Sequence, residues 1–528
     1  MNDKIQVDFL RPIASDSNGK TDDITVEFGA NISSTTGYEK GSTKVFGMLA
    51  DTTEGLITDA KGDDVFTVAL VGDSITHRTA YTRAIEAYYM TRYPDKKIEI
   101  LNKGINAHSF SLALQRFDWD ILNDEVEGLG VKAELTNRPD AVTVMFGAND
   151  IGNYAALDET AKQNQIANAL TNAEAFIKRC IEEKLDLTII TPVLINATAA
   201  EWTAGLDLAN HGRNEGLKRL TAGLKELSSK YAKYGAYNSD INIDIVDMWT
   251  RTTELTQKVR DKNPNTNVVM RNDEDNVHPT VDGGFVMGYY FIKENGESPY
   301  VADVEINASN ATVAKAVNAD VKILSANSSG VTYTYLAKAL PLPVHSSYIY
   351  AEETLGLPVT EDLNQEIIKV TGLADGKDYS ITIDGIALSK IYTAAELAAG
   401  VNIATDAKNP AQIAAMNAYR EIEKKVEIEN YYRMIAQTFA LFVMCYPGAY
   451  TYDELRSAIE KKWANNQDEL TSALNDLDKY FGIVEQSGNL MYTQKPNQQA
   501  AWDLMQGYIN NARTYATPVE RTVVISAN

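Results

Sequence analysis

Cysteine is nearly absent from this sequence: its 528 residues include only Cys180 and Cys445. Each lies in an apolar stretch with helical periodicity, which predicts two buried free thiols and no disulfide framework. Two cysteines also exclude a zinc site built from thiolate ligands. This scarcity does not by itself identify the compartment.

Basic residues are in deficit, with 49 Lys and Arg against 72 Asp and Glu and a formal net charge of −23. A surface with this excess of negative charge repels phosphate backbones and anionic lipid headgroups. The composition therefore predicts no nucleic-acid partner, and it favours a neutral or weakly charged substrate.

No apolar run is long enough to cross a bilayer. The longest, Met434–Tyr446, covers 13 residues and is interrupted by Gln437 and Thr438, whereas a spanning helix needs about 20. The opening MNDKIQVDFLRP lacks the basic segment and apolar core of a signal peptide. We predict no membrane insertion, and both a cytoplasmic chain and a mature chain without its signal stay open.

The length of the chain predicts about three or four folding units. Composition and periodicity divide it into an N-terminal extension (1–60), an α/β domain (61–297), a small β-rich accessory domain (298–405) and a mainly helical C-terminal region (406–528). The extension is polar, and short alternating pieces such as ITVEFGANI predict a few edge strands in it.

Short apolar strands alternate with amphipathic helices across the α/β domain. The predicted strands cover 66–71, 98–102, 141–146, 187–193 and 243–248. Helical periods, such as those at 79–92 and 159–184, separate them. This alternation predicts a parallel sheet with helices on both faces.

Two polar motifs follow directly on predicted strands: GDS at 72–74 and GAND at 147–150. Ligands of open parallel sheets bind beyond the carboxyl ends of the strands. Both motifs are therefore expected on the rim where a substrate would bind.

The β-rich and C-terminal regions carry local turn and cap signals. Asp384-Gly385 between two short alternating strands predicts a hairpin. A helical pattern runs from Pro410 to Pro447, and the pair Thr451 and Glu454 forms a capping-box motif that opens a further helix.

Serine-dependent hydrolysis requires a nucleophile, a base that contacts it, a group that orients the base, and donors for the oxyanion. Ser74 is the candidate nucleophile at the predicted rim. Among five histidines, His278 lies in DEDNVHPTVDGG, three residues after Asp275. A carboxylate at that spacing can fold back to imidazole Nδ1, which leaves Nε2 facing outward.

Four blocks, VGDSI, NKGINAHS, FGAND and DNVHP, occur in the order found in SGNH hydrolases, the GDSL-like esterases. The sequence resembles that family over residues 65–296. The resemblance implies a flavodoxin-like three-layer α/β/α parallel sheet, the SGNH fold. It also implies a carboxylic ester hydrolase that works through a covalent acyl-enzyme without a metal or other cofactor.

The resemblance implies a role for each matching position. Ser74 would be the nucleophile, His278 the general base and then acid, and Asp275 the group that orients it. The oxyanion hole would comprise the backbone N–H groups of Ser74 and Gly104 and the side-chain amide of Asn149.

Further residues lie near the predicted rim. His77 and His108 are candidate substrate contacts, with exposed loop histidines as the alternative interpretation. Asp73 and Asp150 are interpreted as residues that brace the loops rather than as chemical groups.

A second resemblance concerns the chain after the α/β domain. Several segments there are similar to segments of large bacterial SGNH proteins grouped with carbohydrate esterases: LAKALPLPV, VTGLADGKDYSITIDG and AMNAYREIEKK. That resemblance implies removal of acyl groups, chiefly acetyl, from a glycan or small-molecule ester. It also favours a secreted or cell-surface bacterial protein over a cytoplasmic one. The oligomeric state is left open.

Two alternatives stay open at this stage. A lysophospholipase or thioesterase would need an apolar groove or lid, which Met434–Tyr446 could supply. A non-catalytic glycan-binding protein on an SGNH shell would use the fold without the chemistry, although neither the serine nor the histidine is missing here.

Overall fold

The structure is a computed structural model that describes most of the chain after residue 64. The described residues are 65–122, 138–195, 203–204, 212–232, 235–237, 241–270, 277–484 and 494–528. The predicted N-terminal extension (1–60) lies outside the described residues.

Five parallel strands form the sheet of the α/β domain. Their apolar, β-branched sequences suit strands that are covered on both faces. The strands are β1 (Phe66–Gly72), β2 (Ile98–Gly104), β3 (Ala141–Met145), β4 (Asp186–Ile190) and β5 (Ile243–Val246). They lie in the order β2-β1-β3-β4-β5, so the predicted flavodoxin-like fold is confirmed.

Helices cover this sheet on both sides. Those described are α1 (Ser74–His77), α2 (Thr82–Arg92), α3 (Phe110–Gln115), α4 (Glu159–Glu182), α5 (Arg213–Tyr231), α6 (Met248–Arg260) and α7 (Val281–Glu294). Apolar side chains of α2, α6 and α7 form the core on one face. Those of α3, α4 and α5 form the core on the other. The result is the predicted three-layer α/β/α arrangement.

The β-rich region contains two sheets around one apolar core. Its elements are β6 (Tyr300–Asn307), β7 (Thr312–Val317), β8 (Ala319–Asn327), β9 (Gly330–Ala337), α8 (Ser346–Ile349), α9 (Val359–Leu363), β10 (Gln365–Thr371), β11 (Asp378–Ile383), β12 (Ile386–Thr393), α10 (Ala394–Ala399) and β13 (Val401–Asn402). One sheet has the order β13-β10-β6-β7. Asp384 and Gly385, with φ of 52° and 79°, form the turn between β11 and β12, which confirms the predicted hairpin.

The C-terminal region is mainly helical, with one further strand. Its elements are α11 (Pro410–Cys445), α12 (Tyr452–Lys462), α13 (Gln467–Tyr480), α14 (Gln498–Ala516) and β14 (Arg521–Ala527). The capping box of Thr451 and Glu454 at the start of α12 is present.

Strand β14 lies between β9 and β11, in a sheet of order β12-β11-β14-β9-β8. The end of the chain therefore completes the β-rich region, which the sequence analysis did not anticipate. The boundaries between the predicted domains stay predictions.

Helix α11 attaches the C-terminal region to the α/β domain through buried charges. The ammonium of Lys425 lies 3.1 Å from Glu86 of α2 and 2.7 Å from Glu429, and all three side chains are buried. Burial of an unpaired ion would be costly, so these pairs fix how α11 sits against α2.

The two cysteines differ in their surroundings. Cys180 belongs to α4 and is buried, as predicted, in the core between this helix and the sheet. Cys445 is exposed, which corrects the prediction of a second buried thiol: it is the last residue of α11 and is not part of the apolar cluster that the end of this helix joins. Within the described part of the chain, we found no helix whose length and apolarity would let it cross a membrane.

Candidate active site

Ser74 lies where strand β1 passes into helix α1. Asp73 caps that helix, since its side chain accepts a hydrogen bond from the Ile75 N–H at 2.9 Å. A Cβ atom at Gly72 would lie 2.0 Å from Oγ1 of Thr76. Glycine at 72 is thus required for the tight strand-to-helix turn that presents Ser74 at the rim.

His278 meets Ser74 across 204 positions of sequence. Its Nε2 atom is 2.8 Å from the serine Oγ, and both residues are partly buried. Pro279 forms an isolated β-bridge with Met270, and Thr280 caps helix α7, so the chain directly after the histidine is fixed at two successive residues. For Nε2 to accept the serine proton, a neutral imidazole must carry its own proton on Nδ1.

Asp275, predicted to orient His278, lies outside the described residues. Its role stays a prediction. A carboxylate next to Nδ1 would favour the tautomer that His278 requires, which carries its proton on Nδ1.

Asn149 presents its amide from the loop after β3. The Nδ2 atom donates to the backbone oxygen of His108 at 2.9 Å and lies 3.5 Å from Oδ2 of Asp73. The residue is exposed. Because the second contact is at the limit of hydrogen-bond length, one N–H of this amide stays available to a substrate oxygen.

Gly104 does not fill the role predicted for it. Its N–H donates to Oδ1 of Asn102 at 2.8 Å, so this group is not available to an oxyanion. A Cβ atom at this position would lie 2.2 Å from the backbone nitrogen of His77. Glycine is needed at 104 because α1 packs against the end of β2.

Ala107 is a residue that the sequence analysis missed. Its φ of 62° is in the left-handed region, which is unfavourable for alanine. Its N–H and that of Ser74 have no hydrogen-bond partner among the described residues. The next residue, His108, contacts Asn149 through its carbonyl. The only sequence signal was position, in the loop directly after β2.

His77 and His108 are buried and hydrogen-bonded within the protein, which corrects the expectation of rim residues open to substrate. Nδ1 of His77 donates to the Gly104 carbonyl at 3.2 Å, and Nδ1 of His108 accepts from Arg116 at 3.2 Å. Burial, reinforced by the charge of Arg433, lowers the pKa of His77 to about 4. Burial and the charge of Arg116 lower the pKa of His108 to about 3. Both rings are therefore neutral at pH 7 and support the loops around the site.

Asp73 and Asp150 brace those loops, as interpreted from the sequence. Asp150 accepts a hydrogen bond from the Phe110 N–H at 3.1 Å and so ties the β3 loop to helix α3. Burial raises the pKa of Asp73 to about 7, although the hydrogen bond from Ile75 opposes the shift.

A buried charge cluster lies beside the end of β2, next to the site. Asp120 forms ion pairs with Arg116 and with Arg433 of α11, the latter at 2.7 and 2.9 Å. Arg433 also donates to the Gly104 carbonyl at 3.2 Å. Burial alone would raise the pKa of Asp120, but the charges of Arg433, Lys103 and Arg116 hold it far below its usual range. The C-terminal region thereby supports a loop of the site directly.

These features agree with a comparison against protein families. The family model described as GDSL-like Lipase/Acylhydrolase matches residues 68–291, which include Ser74, Asn149 and His278. Residues 68–291 form a GDSL-like hydrolase domain. The SGNH family predicted from the four sequence blocks is confirmed.

One solved structure extends the likeness beyond the GDSL-like hydrolase domain. BT4096, a gut microbial diltiazem-metabolizing enzyme, is similar over 88% of this chain and 98% of its own, with 24% identity and a TM-score of 0.68. Axe2, an acetylxylan esterase from Geobacillus stearothermophilus, is similar over 45% of this chain and 98% of its own, with 17% identity and a TM-score of 0.31. No curated protein matches the chain. The likeness to BT4096 shows that the fold of the β-rich and C-terminal regions is also found in another protein.

Proposed function

We propose that the chain is a serine esterase that removes short acyl groups, with acetyl as the main case, from a neutral carbohydrate or small-molecule ester. The observation that carries the proposal is the 2.8 Å contact between the Ser74 hydroxyl and Nε2 of His278 at the carboxyl-terminal rim of the sheet.

In the acylation step, Ser74 Oγ bonds to the ester carbonyl carbon while its proton passes to Nε2 of His278. The carbonyl electron pair moves onto oxygen and forms the oxyanion. When the pair returns, the bond to the alcohol oxygen breaks, and His278 donates its proton to that oxygen. Water then repeats the sequence on the acyl-enzyme and releases the carboxylic acid and free Ser74.

The oxyanion would be bound by the N–H groups of Ser74 and Ala107 and by the amide of Asn149. Ala107 takes the place predicted for Gly104 because its N–H is unpaired among the described residues and its loop contacts Asn149. The left-handed backbone at Ala107 is a strained conformation of the kind that recurs at active sites.

Asn149→Ala is expected to lower kcat for p-nitrophenyl acetate by about 10²–10³-fold, because one preorganised oxyanion donor is lost. Asn153→Ala is the matched control, since Asn153 is an exposed asparagine of the same loop. The control is expected to keep kcat within about twofold, as surface substitutions usually do. Equal losses in the two variants would contradict a specific role for the Asn149 amide.

A short acyl group on a neutral acceptor is supported by two features. The net charge of −23 disfavours an anionic lipid surface. The apolar segment Met434–Tyr446, considered above as a lid for long acyl chains, instead ends α11 with Phe439 and Val443 buried against the C-terminal helices. Those two side chains are thus occupied in packing, whereas Leu441 and Met444 of the same segment are exposed.

A series of p-nitrophenyl esters tests the acyl preference. We expect kcat/KM to be at least about tenfold higher for the acetyl than for the octanoyl ester, because an enzyme selective for short acyl groups does not bury the added methylenes. Release of acetate from acetylated xylan, mannan and pectin, measured with Ser74→Ala as the blank, then tests the carbohydrate acceptor. A preference for octanoyl would favour the lipid-acting alternative.

A further inference from the structure

Helix α11 lies along the outer edge of strand β2. This strand is the outermost of the five described strands, so the backbone groups of its alternate residues point away from β1. Four α11 side chains, spaced four residues apart, each bind one backbone group on alternate residues of this edge and of the loop after it. The pairs are Lys425 with the Ile100 carbonyl (3.3 Å), Glu429 with the Asn102 N–H (3.1 Å), Arg433 with the Gly104 carbonyl (3.2 Å) and Gln437 with the Asn106 N–H (3.3 Å). Four helical residues rise about 6 Å and two strand residues about 6.6 Å, so the two repeats nearly match.

Donors and acceptors also match along this row. The cationic side chains lie on carbonyl groups, and the carboxylate and the amide oxygen lie on N–H groups. Lys425, Glu429 and Arg433 are buried, whereas Gln437 is partly exposed. The first three contacts therefore fix α11 against β2, and the fourth reaches beyond the strand into the loop that carries Ala107.

Gln437 makes two contacts with one residue of that loop. Its Oε1 atom accepts from the backbone N–H of Asn106 at 3.3 Å and from the Asn106 side-chain amide at 2.7 Å. Because a backbone N–H can only donate, it determines which end of the Gln437 amide faces the loop. Gln437 is one of the two polar interruptions of the apolar segment Met434–Tyr446. The other, Thr438, donates to the Met434 carbonyl of its own helix at 2.9 Å.

Asn106 and Ala107 are the two central residues of a turn. The turn is closed by the His108 N–H, which donates to the Ile105 carbonyl at 3.3 Å. The peptide plane between Asn106 and Ala107 carries the Ala107 N–H, and such a plane moves as one unit. Ala107 is exposed and has a φ of 62°, a strained conformation that neighbouring contacts have to maintain. The place where Asn106 is held therefore determines where this N–H lies.

We propose that Gln437 is a positioning residue for the oxyanion hole: it holds Asn106 so that the Ala107 N–H faces the oxyanion. The inference rests on the proposed esterase function, in which that N–H is an oxyanion donor. It gives the C-terminal region a part in the reaction, because a side chain of α11 positions a group of the α/β domain. Binding of the unreacted ester would not depend on this contact, since the oxyanion forms only during the reaction.

Gln437→Met tests the proposal, because it keeps a side chain of similar length and removes both hydrogen bonds to Asn106. We expect kcat for p-nitrophenyl acetate to fall about tenfold, a part of the roughly 10²–10³-fold effect of losing one oxyanion donor, with KM within about twofold. Thr438→Val is the matched control, since it removes a hydrogen bond within α11 and leaves the loop untouched. The control is expected to keep kcat within about twofold.

A second measurement separates positioning from loss of folded protein. The carbonyl carbon of trifluoroacetone takes up the serine oxygen, and its carbonyl oxygen becomes a stable oxyanion. Its Ki therefore reports on the oxyanion hole of the active molecules alone. In Gln437→Met, Ki is expected to rise by about the factor by which kcat falls, because both depend on the same donor. A purely structural role would reduce the amount of active enzyme and leave Ki unchanged.

Gln437→Ala removes the same oxygen without adding a new side chain, and it is expected to show the same rise in Ki. Either variant decides the question if the other fails to fold. Values of kcat and Ki equal to those of Thr438→Val would overturn this inference alone. A parent enzyme that neither hydrolyses the ester nor binds the ketone would overturn the proposed esterase function, and this inference with it.

Discussion

Ser74→Ala is expected to lower kcat for p-nitrophenyl acetate by about 10⁴–10⁶-fold, the range known for loss of a serine nucleophile. In the proposed mechanism the hydroxyl oxygen forms the acyl bond, and His278 has nothing to deprotonate without it. The residual rate would come from the oxyanion donors and from binding, which the substitution leaves in place.

The fold should survive this change. Alanine suits the first position of α1, and the cap that starts this helix comes from Asp73. Ser109→Ala is the matched control: Ser109 begins α3 at the same rim, and its Oγ accepts from the Leu112 N–H at 3.4 Å. Loss of that cap should reduce the free energy of unfolding by about 1 kcal/mol while activity stays within about tenfold. An active Ser74→Ala enzyme would refute the assignment.

Asp120→Asn is expected to reduce the free energy of unfolding by about 3–5 kcal/mol, because it leaves buried cations without a counter-ion. Arg116, Arg433 and Lys103 all lie within ion-pair distance of the Asp120 carboxylate, and all four side chains are at least nine-tenths buried. The midpoint of thermal unfolding, monitored by circular dichroism, should fall accordingly.

Asp118→Asn is the matched control for Asp120→Asn, because it makes the same substitution two residues earlier in the sequence. Its carboxylate pairs with Arg179 at 2.7 Å, but its side chain is 59% exposed. An exposed pair contributes about 0–1 kcal/mol, so this variant should unfold within a few degrees of the parent. If Asp118→Asn and Asp120→Asn proved equally mild, the buried cluster would not be what joins α11 to the α/β domain.

The sheet and the principal pair of the site could be predicted from local patterns. Apolar runs at 66–71 and 141–146 correspond to β1 and β3, and the motifs that follow them bring Ser74 and Asn149 to one rim. His278 was recognised from its sequence block. Parallel strands align their carboxyl ends, so short motifs placed after strands are brought together by topology alone.

Other features depend on contacts that leave no local signal. Gly104 matched a sequence block, yet its N–H is taken up by the Asn102 side chain, and it is Ala107 whose N–H has no partner among the described residues. The pair of Arg433 and Asp120 joins residues 313 positions apart. The place of strand β14 between β9 and β11 follows from pairing with distant strands. Each of these required the tertiary structure.

The most direct test of the central claim is peptide mapping by mass spectrometry after reaction with a fluorophosphonate, which forms a stable bond to an activated serine oxygen. A nucleophile deprotonated by His278 predicts a single adduct on the peptide that carries Ser74, and no adduct when His278 is replaced by glutamine. An adduct on another residue, or an active enzyme that the reagent leaves unlabelled, would contradict the claim.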